Sequence, residues 1–270
     1  MALGTYSPTH SPTLTHLLPR LLAYLLPRSL VYLLTCLLAH LGSLHTLILT
    51  DDGEVLSCGS GEHGRLGDGL SDDVVTPQPI EALANEDVIQ IAAGKSHSLA
   101  LTSTGKIYSW GRNHEGQLGH VDAFMDMMSF EVLPREIFSD ELKNYKIQQI
   151  AAGSQRSAAV STCGRMFIWG KKANHYPTLV DPALFKNLKI KQILLGGTAS
   201  GDMVAVITED GGLWTFGDFK SGLLGYAGTI GRQTDPVRIE TFKNTEVVDV
   251  VASSTGHGTQ ILARVKSSDP

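Results

Sequence analysis

Two histidines stand out as groups able to do chemistry near neutral pH, where imidazole changes charge. His45 and His97 occupy matching phrases, Gly42-Ser-Leu-His45-Thr-Leu-Ile-Leu-Thr50 and Gly94-Lys-Ser-His97-Ser-Leu-Ala-Leu-Thr102. Each could serve as a ligand or a general base. A catalytic residue is needed once, however, and these recur with the unit. Recurrence points to buried rings that tie neighbouring units together. Trp110, Trp169 and Phe216 share one slot in the same way and read as core aromatics. Gly116-Gln-Leu-Gly119 is not a phosphate loop, because no Lys-Ser/Thr follows and no helix opens there. The chain shows no Ser-His-Asp set, no paired carboxylates in one motif and no metal-ligand spacing. The expectation is a non-enzymatic protein with no cofactor, no metal and no catalytic residue.

The elements that position these residues come from a phrase repeated four times. It reads Asp52-Gly53 to Cys58-Gly59, Thr104-Gly105 to Trp110-Gly111, Cys163-Gly164 to Trp169-Gly170, and Asp210-Gly211 to Phe216-Gly217. The leading glycines lie 52, 59 and 47 residues apart, a period that signals a modular repeat fold. Each leading Gly ends a tight turn, where a hairpin needs positive φ. Ahead of the turn stands a strand, a Gly-containing loop and a second strand, clearest at Ile91 to Thr102 and Ile150 to Ser161. After it, alternation at Ile107 to Trp110 reads as a third strand. Loops closing on Gly67, Gly119 and Gly225 follow, and then Pro77, Pro134, Pro177 and Pro236, each three residues before a β-branched residue. Proline there suits an outer edge strand, where a missing ladder N–H is cheap.

Four short strands per unit, repeated radially, describe an all-β propeller blade. At residues 92–119 the unit reads Ala-Ala-Gly-x-x-His-Ser-x-Ala-Leu-Thr, then Gly-x-x-Tyr-x-Trp-Gly, then Asn-x-x-Gly-Gln-Leu-Gly. This resembles the repeat of the regulator of chromosome condensation (RCC1) family, over residues 42–265. The resemblance implies an RCC1-type β-propeller with about four to five of the usual seven blades. It implies a protein-interaction scaffold, or alternatively guanine-nucleotide exchange on a Ran-type small GTPase. In the family's exchanger, acidic residues follow the inner-strand Gly; the matching positions here are Lys95, Ser96, Ser154 and Gln155. The plant ultraviolet-sensing members need clustered tryptophans, which three Trp do not supply.

Residues 1–41 are a Leu-rich low-complexity segment with no acid before Asp51. Three readings stand: a membrane or signal segment, an organelle transit peptide, or a tandem nucleotide repeat translated ahead of a truncated coding region. The third is favoured, since the segment runs into the middle of a unit. Residues 266–270 form a tail. The net charge of −5 gives no global pull toward nucleic acid or an anionic membrane. Three widely spaced cysteines read as reduced thiols in an intracellular, cytoplasmic or nuclear, setting. The non-repeating pieces are the candidates for binding a protein partner. These are Phe124, Met125, Met127, Met128 and Phe130 in a Met-rich connection, then Lys171, Lys172, His175 and Tyr176 where the third unit lacks its Gly-x-Leu-Gly loop. The Thr198–Asp202 expansion is a further candidate.

Overall fold

The computed structural model describes residues 36–120, 130–171, 174–198, 201–219, 231–242, 245–255 and 258–266. Strands follow one another as antiparallel neighbours. Blade one holds Cys36–Leu41 (β1), His45–Thr50 (β2), Val55–Gly59 (β3) and Val74–Pro79 (β4). Blade two holds Val88–Ala93 (β5), His97–Thr102 (β6), Ile107–Arg112 (β7) and Phe130–Glu136 (β8). Blade three holds Ile147–Ala152 (β9), Arg156–Ser161 (β10), Met166–Gly170 (β11) and Asn174–Leu179 (β12). Blade four holds Ile190–Thr198 (β13), Gly201–Thr208 (β14), Leu213–Phe219 (β15) and Gly231–Arg238 (β16). Val247–Thr255 (β17) and Gly258–Val265 (β18) form a two-stranded sheet. The first strands of successive blades neighbour one another and so form the inner edge of the arc. The fourth strands, which carry the repeated prolines, are outermost.

The end of the Leu-rich segment stands in the place of the first unit's inner strand, with Leu38 opposite Leu49 and Leu41 opposite Thr46. An apolar run can complete a ladder because pairing uses the backbone.

The core is a series of layers between blades rather than one centre. Leu47, Leu49, Ile91 and Trp110 join blades one and two. Leu99, Ile150, Phe167 and Trp169 join two and three. Val160, Ile193, Val204 and Phe216 join three and four. Ile207, Leu213, Val247 and Val250 join blade four to the last sheet. Blades two, three and four are therefore covered on both faces, and their second strands are buried along most of their length, as in β6 and β14. The Gly after each aromatic slot has φ between +96° and +135°; Gly111 is typical at +97°. A Cβ on Gly111 would lie 2.6 Å from the Ser96 carbonyl, so the strand cannot pass its neighbour with any other residue.

Candidate functional site: filled repeat slots and an exposed outer rim

His45, His97, Trp110 and Trp169 are consumed by a recurring clasp between blades. The His97 Nε2 lies 2.9 Å from Ser157 Oγ, and Ser157 Oγ donates to the Gln117 carbonyl at 2.7 Å. Trp169 Nε1 donates to the same carbonyl at 2.9 Å. Because the serine proton is committed to that carbonyl, His97 must donate from Nε2, which leaves Nδ1 unprotonated. Total burial pushes the His97 pKa down to about 4, so the ring stays neutral. The same clasp joins blades one and two. There His45 Nε2 meets Ser98 Oγ at 2.9 Å, Ser98 Oγ donates to the Arg65 carbonyl, and Trp110 Nε1 donates to that carbonyl at 3.0 Å. Ser57 and Ser109 hold the two carbonyl-bearing loops by donating to Leu66 and Leu118. Gly119 lies beneath Trp169, where a Cβ would stand 2.8 Å from Nε1.

A second tie links the inner strands. Gln90 donates to the Ile150 carbonyl at 3.0 Å and accepts from the Ile150 amide at 2.9 Å. Gln149 repeats this with Ile193, and Gln192 donates to Asp249. Sequence reasoning missed these amides, although Gln-Ile-Ala-Ala appears twice.

The seam between blades three and four is rebuilt. Arg156 stands in the His slot, Val204 in the Ser slot and Phe216 in the Trp slot. Asp202, only 1% exposed, instead accepts from the Ser154 and Gln155 amides at 2.8 and 3.2 Å. Burial raises its pKa, against those amides and the charges of Lys171 and Arg156. The acid of the Thr198–Asp202 expansion thus faces inward.

The proposed partner-binding residues fall in three places. Phe124, Met125, Met127, Met128 and Lys172 lie outside the described residues, as does Gly225. Phe130 opens β8, is 45% exposed, and sets its ring 6.1 Å from that of His63. Lys171 takes a left-handed φ of 58° and its amide donates to the Gln155 carbonyl, while His175 lies against Gly116 of blade two. Tyr176, half-exposed on β12, lines an open recess of about 620 Å³ with Phe138, Ser139, Asp140, Glu141 and Lys143. Phe138 is 74% exposed and was not singled out from the sequence. The structure thus brings an exposed ring of blade two beside one of blade three on the outer rim. Lys143 pairs with Asp140 at 2.7 Å and holds its carboxyl below the usual range.

Among the described residues, no group of three or more His, Cys, Asp or Glu is placed to hold a metal ion. No described helix is long and apolar enough to cross a membrane.

Blades of four antiparallel strands, clasped side by side around an inner edge, define a β-propeller. Residues 52–101 and 104–160 match the family model of the regulator of chromosome condensation (RCC1) repeat, and 88–117 match a second model of that repeat. The chain belongs to the RCC1-repeat family. It is 35% identical over 205 residues to the human (Homo sapiens) probable E3 ubiquitin-protein ligase HERC6, covering 71% of this chain and 19% of that protein. It is 34% identical over 217 residues to the Arabidopsis thaliana ultraviolet-B receptor UVR8, covering 77% of this chain and 47% of that protein. The chain therefore spans less than half of either relative. Among solved structures, human WBSCR16 superposes with a TM-score of 0.68 at 28% identity, over 80% of this chain and 55% of that one. Yeast RCC1, solved with Kap60, gives 0.71 at 22% identity, over 87% of this chain and 55% of that one, and shows the fold.

Proposed function

We propose that this chain is a non-enzymatic protein-interaction propeller that engages its partner through the outer rim of blades two and three. One observation carries the reading: His45, His97, Trp110 and Trp169 are spent on clasps, while Phe138 and Tyr176 stand exposed around one recess. Exposed aromatics converging on a recess mark interaction sites. Glu141 on the same rim, beside the paired Asp140 and Lys143, favours a partner segment with an apolar anchor beside a basic residue. The free Cys58 and Cys163 support an intracellular, cytoplasmic or nuclear, setting. Residues 42–265 remain the proposed repeat domain, joined by the strand at Cys36–Leu41.

The test is quantitative affinity capture with the full chain. Phe138→Ala with Tyr176→Ala should lose the partners that the wild type retains, at unchanged melting temperature. A second arm alters Phe124, Met125, Met127, Met128 and Phe130. Loss in that arm alone moves the site to the Met-rich connection.

The alternative is guanine-nucleotide exchange on a Ran-type GTPase. Exchange rests on binding the nucleotide-free GTPase in preference to the loaded one, so it requires a dedicated surface. The loops after the inner-strand glycines present Lys95 outward, and the acid Asp202 is turned inward. A fluorescent-nucleotide release assay on a panel of small GTPases decides it. Acceleration by orders of magnitude would displace the scaffold reading.

A further inference from the structure

On the seam between blades one and two, the Glu62–Gly64 turn packs against β7 and β8. Three buried nitrogens there have no hydrogen-bond partner among the described residues: Arg112 Nε, His63 Nδ1 and His114 Nδ1. The His63 and His114 rings lie 5.9 Å apart at 85°, and the Phe130 ring lies 6.1 Å from His63. His63 holds a left-handed φ of 62°. Buried polar nitrogens without partners are costly, because each forfeits its bonds to water, and a neutral imidazole can donate from Nδ1 in one of its two tautomers.

The carboxylates near these atoms are already engaged. Glu62 is 3.8 Å from His63 Nδ1, beyond hydrogen-bond reach. Its carboxylate is instead bonded to Arg65 at 2.7 Å. On β8, Glu131 is paired with Arg135 at 3.0 Å. Among the described residues, the Arg112 guanidinium forms no ion pair. Burial and the neighbouring cations Arg112 and Arg65 lower the His63 pKa, against the pull of Glu62. A bound anion would relieve that repulsion and give all three nitrogens an acceptor.

We propose that this seam is an oxyanion site, in which Arg112, His63 and His114 hold a tetrahedral anion of phosphate size. The near-perpendicular imidazoles favour a tetrahedral ion over a planar carboxylate, because the two rings do not share a plane. This site is separate from the Phe138–Tyr176 recess and does not depend on it.

The test uses the full chain and inorganic phosphate or sulfate as probe, at constant ionic strength set with chloride. The imidazole Cε1–H resonances of His63 and His114 are followed by NMR. Saturable shifts are expected on both rings, with affinity weakened at least about tenfold in Arg112→Gln and in His114→Gln. Arg135→Gln, on the same strand edge, should bind as the wild type does. Melting temperatures identify folded variants, and the second variant carries the test if one fails to fold. Shifts that match those given by chloride, or affinity unchanged in either folded variant, would overturn the proposal.

Discussion

The seams on either side of blade three are built on different chemistry. The seam with blade two is a polar relay that runs from His97 through Ser157 to the Gln117 carbonyl, with Trp169 donating to the same oxygen. Among the described residues, the seam with blade four has no such relay. Blade three lacks the Gly-x-Leu-Gly loop that would present the carbonyl, and every donor aimed at that carbonyl is gone with it. Ile168 replaces the loop-holding serine, Val204 the relay serine, and Phe216 the indole. The difference teaches that the clasp behaves as one unit. A hydroxyl or indole N–H kept after its acceptor is lost would be a buried unsatisfied group, worth about 1–3 kcal/mol of destabilisation. Asp202 then ties the seam from the other side, through backbone amides.

Four changes would break or sharpen this contrast. Trp169→Ala should be the most damaging, because it removes a fully buried ring and a relay donor together; about 3–5 kcal/mol is expected from urea unfolding. Next comes acid. His97 protonates near pH 4 in the folded chain and near 6.5 when unfolded. Between those values the unfolded state binds the extra proton, so stability falls as pH drops from 6.5 to 4 and this contribution levels off below. The loss approaches about 3 kcal/mol. His97→Asn should flatten that part of the profile, and an unchanged profile would count against a neutral buried ring. On the rebuilt side, Asp202→Ala should cost about 2 kcal/mol by stranding two amides, while Asp202→Asn, which keeps an acceptor oxygen, costs less. Smallest of all, Phe138→Ala and Tyr176→Ala should each stay within about 0.5 kcal/mol of the wild type. A larger drop would make the rim part of the architecture.

How much of this was legible in the sequence follows from what each contact uses. The aromatic-Gly slots and the outer prolines announce themselves because a side chain, or the lack of one, is the device. Gly111 and Pro134 are examples. The relay was only half legible. His97 and Trp169 recur, but their common acceptor is a main-chain carbonyl, and any residue can offer one: Arg65 does so in one seam and Gln117 in the next. Asp202 lay inside an expansion singled out for its irregularity, and nothing in its neighbours indicates that its carboxylate turns inward. The rim recess escaped because Phe138 and Tyr176 lie far apart in the chain and meet only when blades two and three stand side by side. Leu38–Leu41 read as low complexity, since pairing with β2 depends on backbone that composition does not describe.

The central claim is that the recurrent histidine is a strut whose energy is shared with its clasp partners. A double-mutant cycle on His97→Ala and Ser157→Ala, measured by urea unfolding, tests it most directly. A coupling energy of about 1 kcal/mol or more is predicted for this bonded pair. Additivity within about 0.3 kcal/mol would contradict the account and return His97 to the list of residues in search of a function.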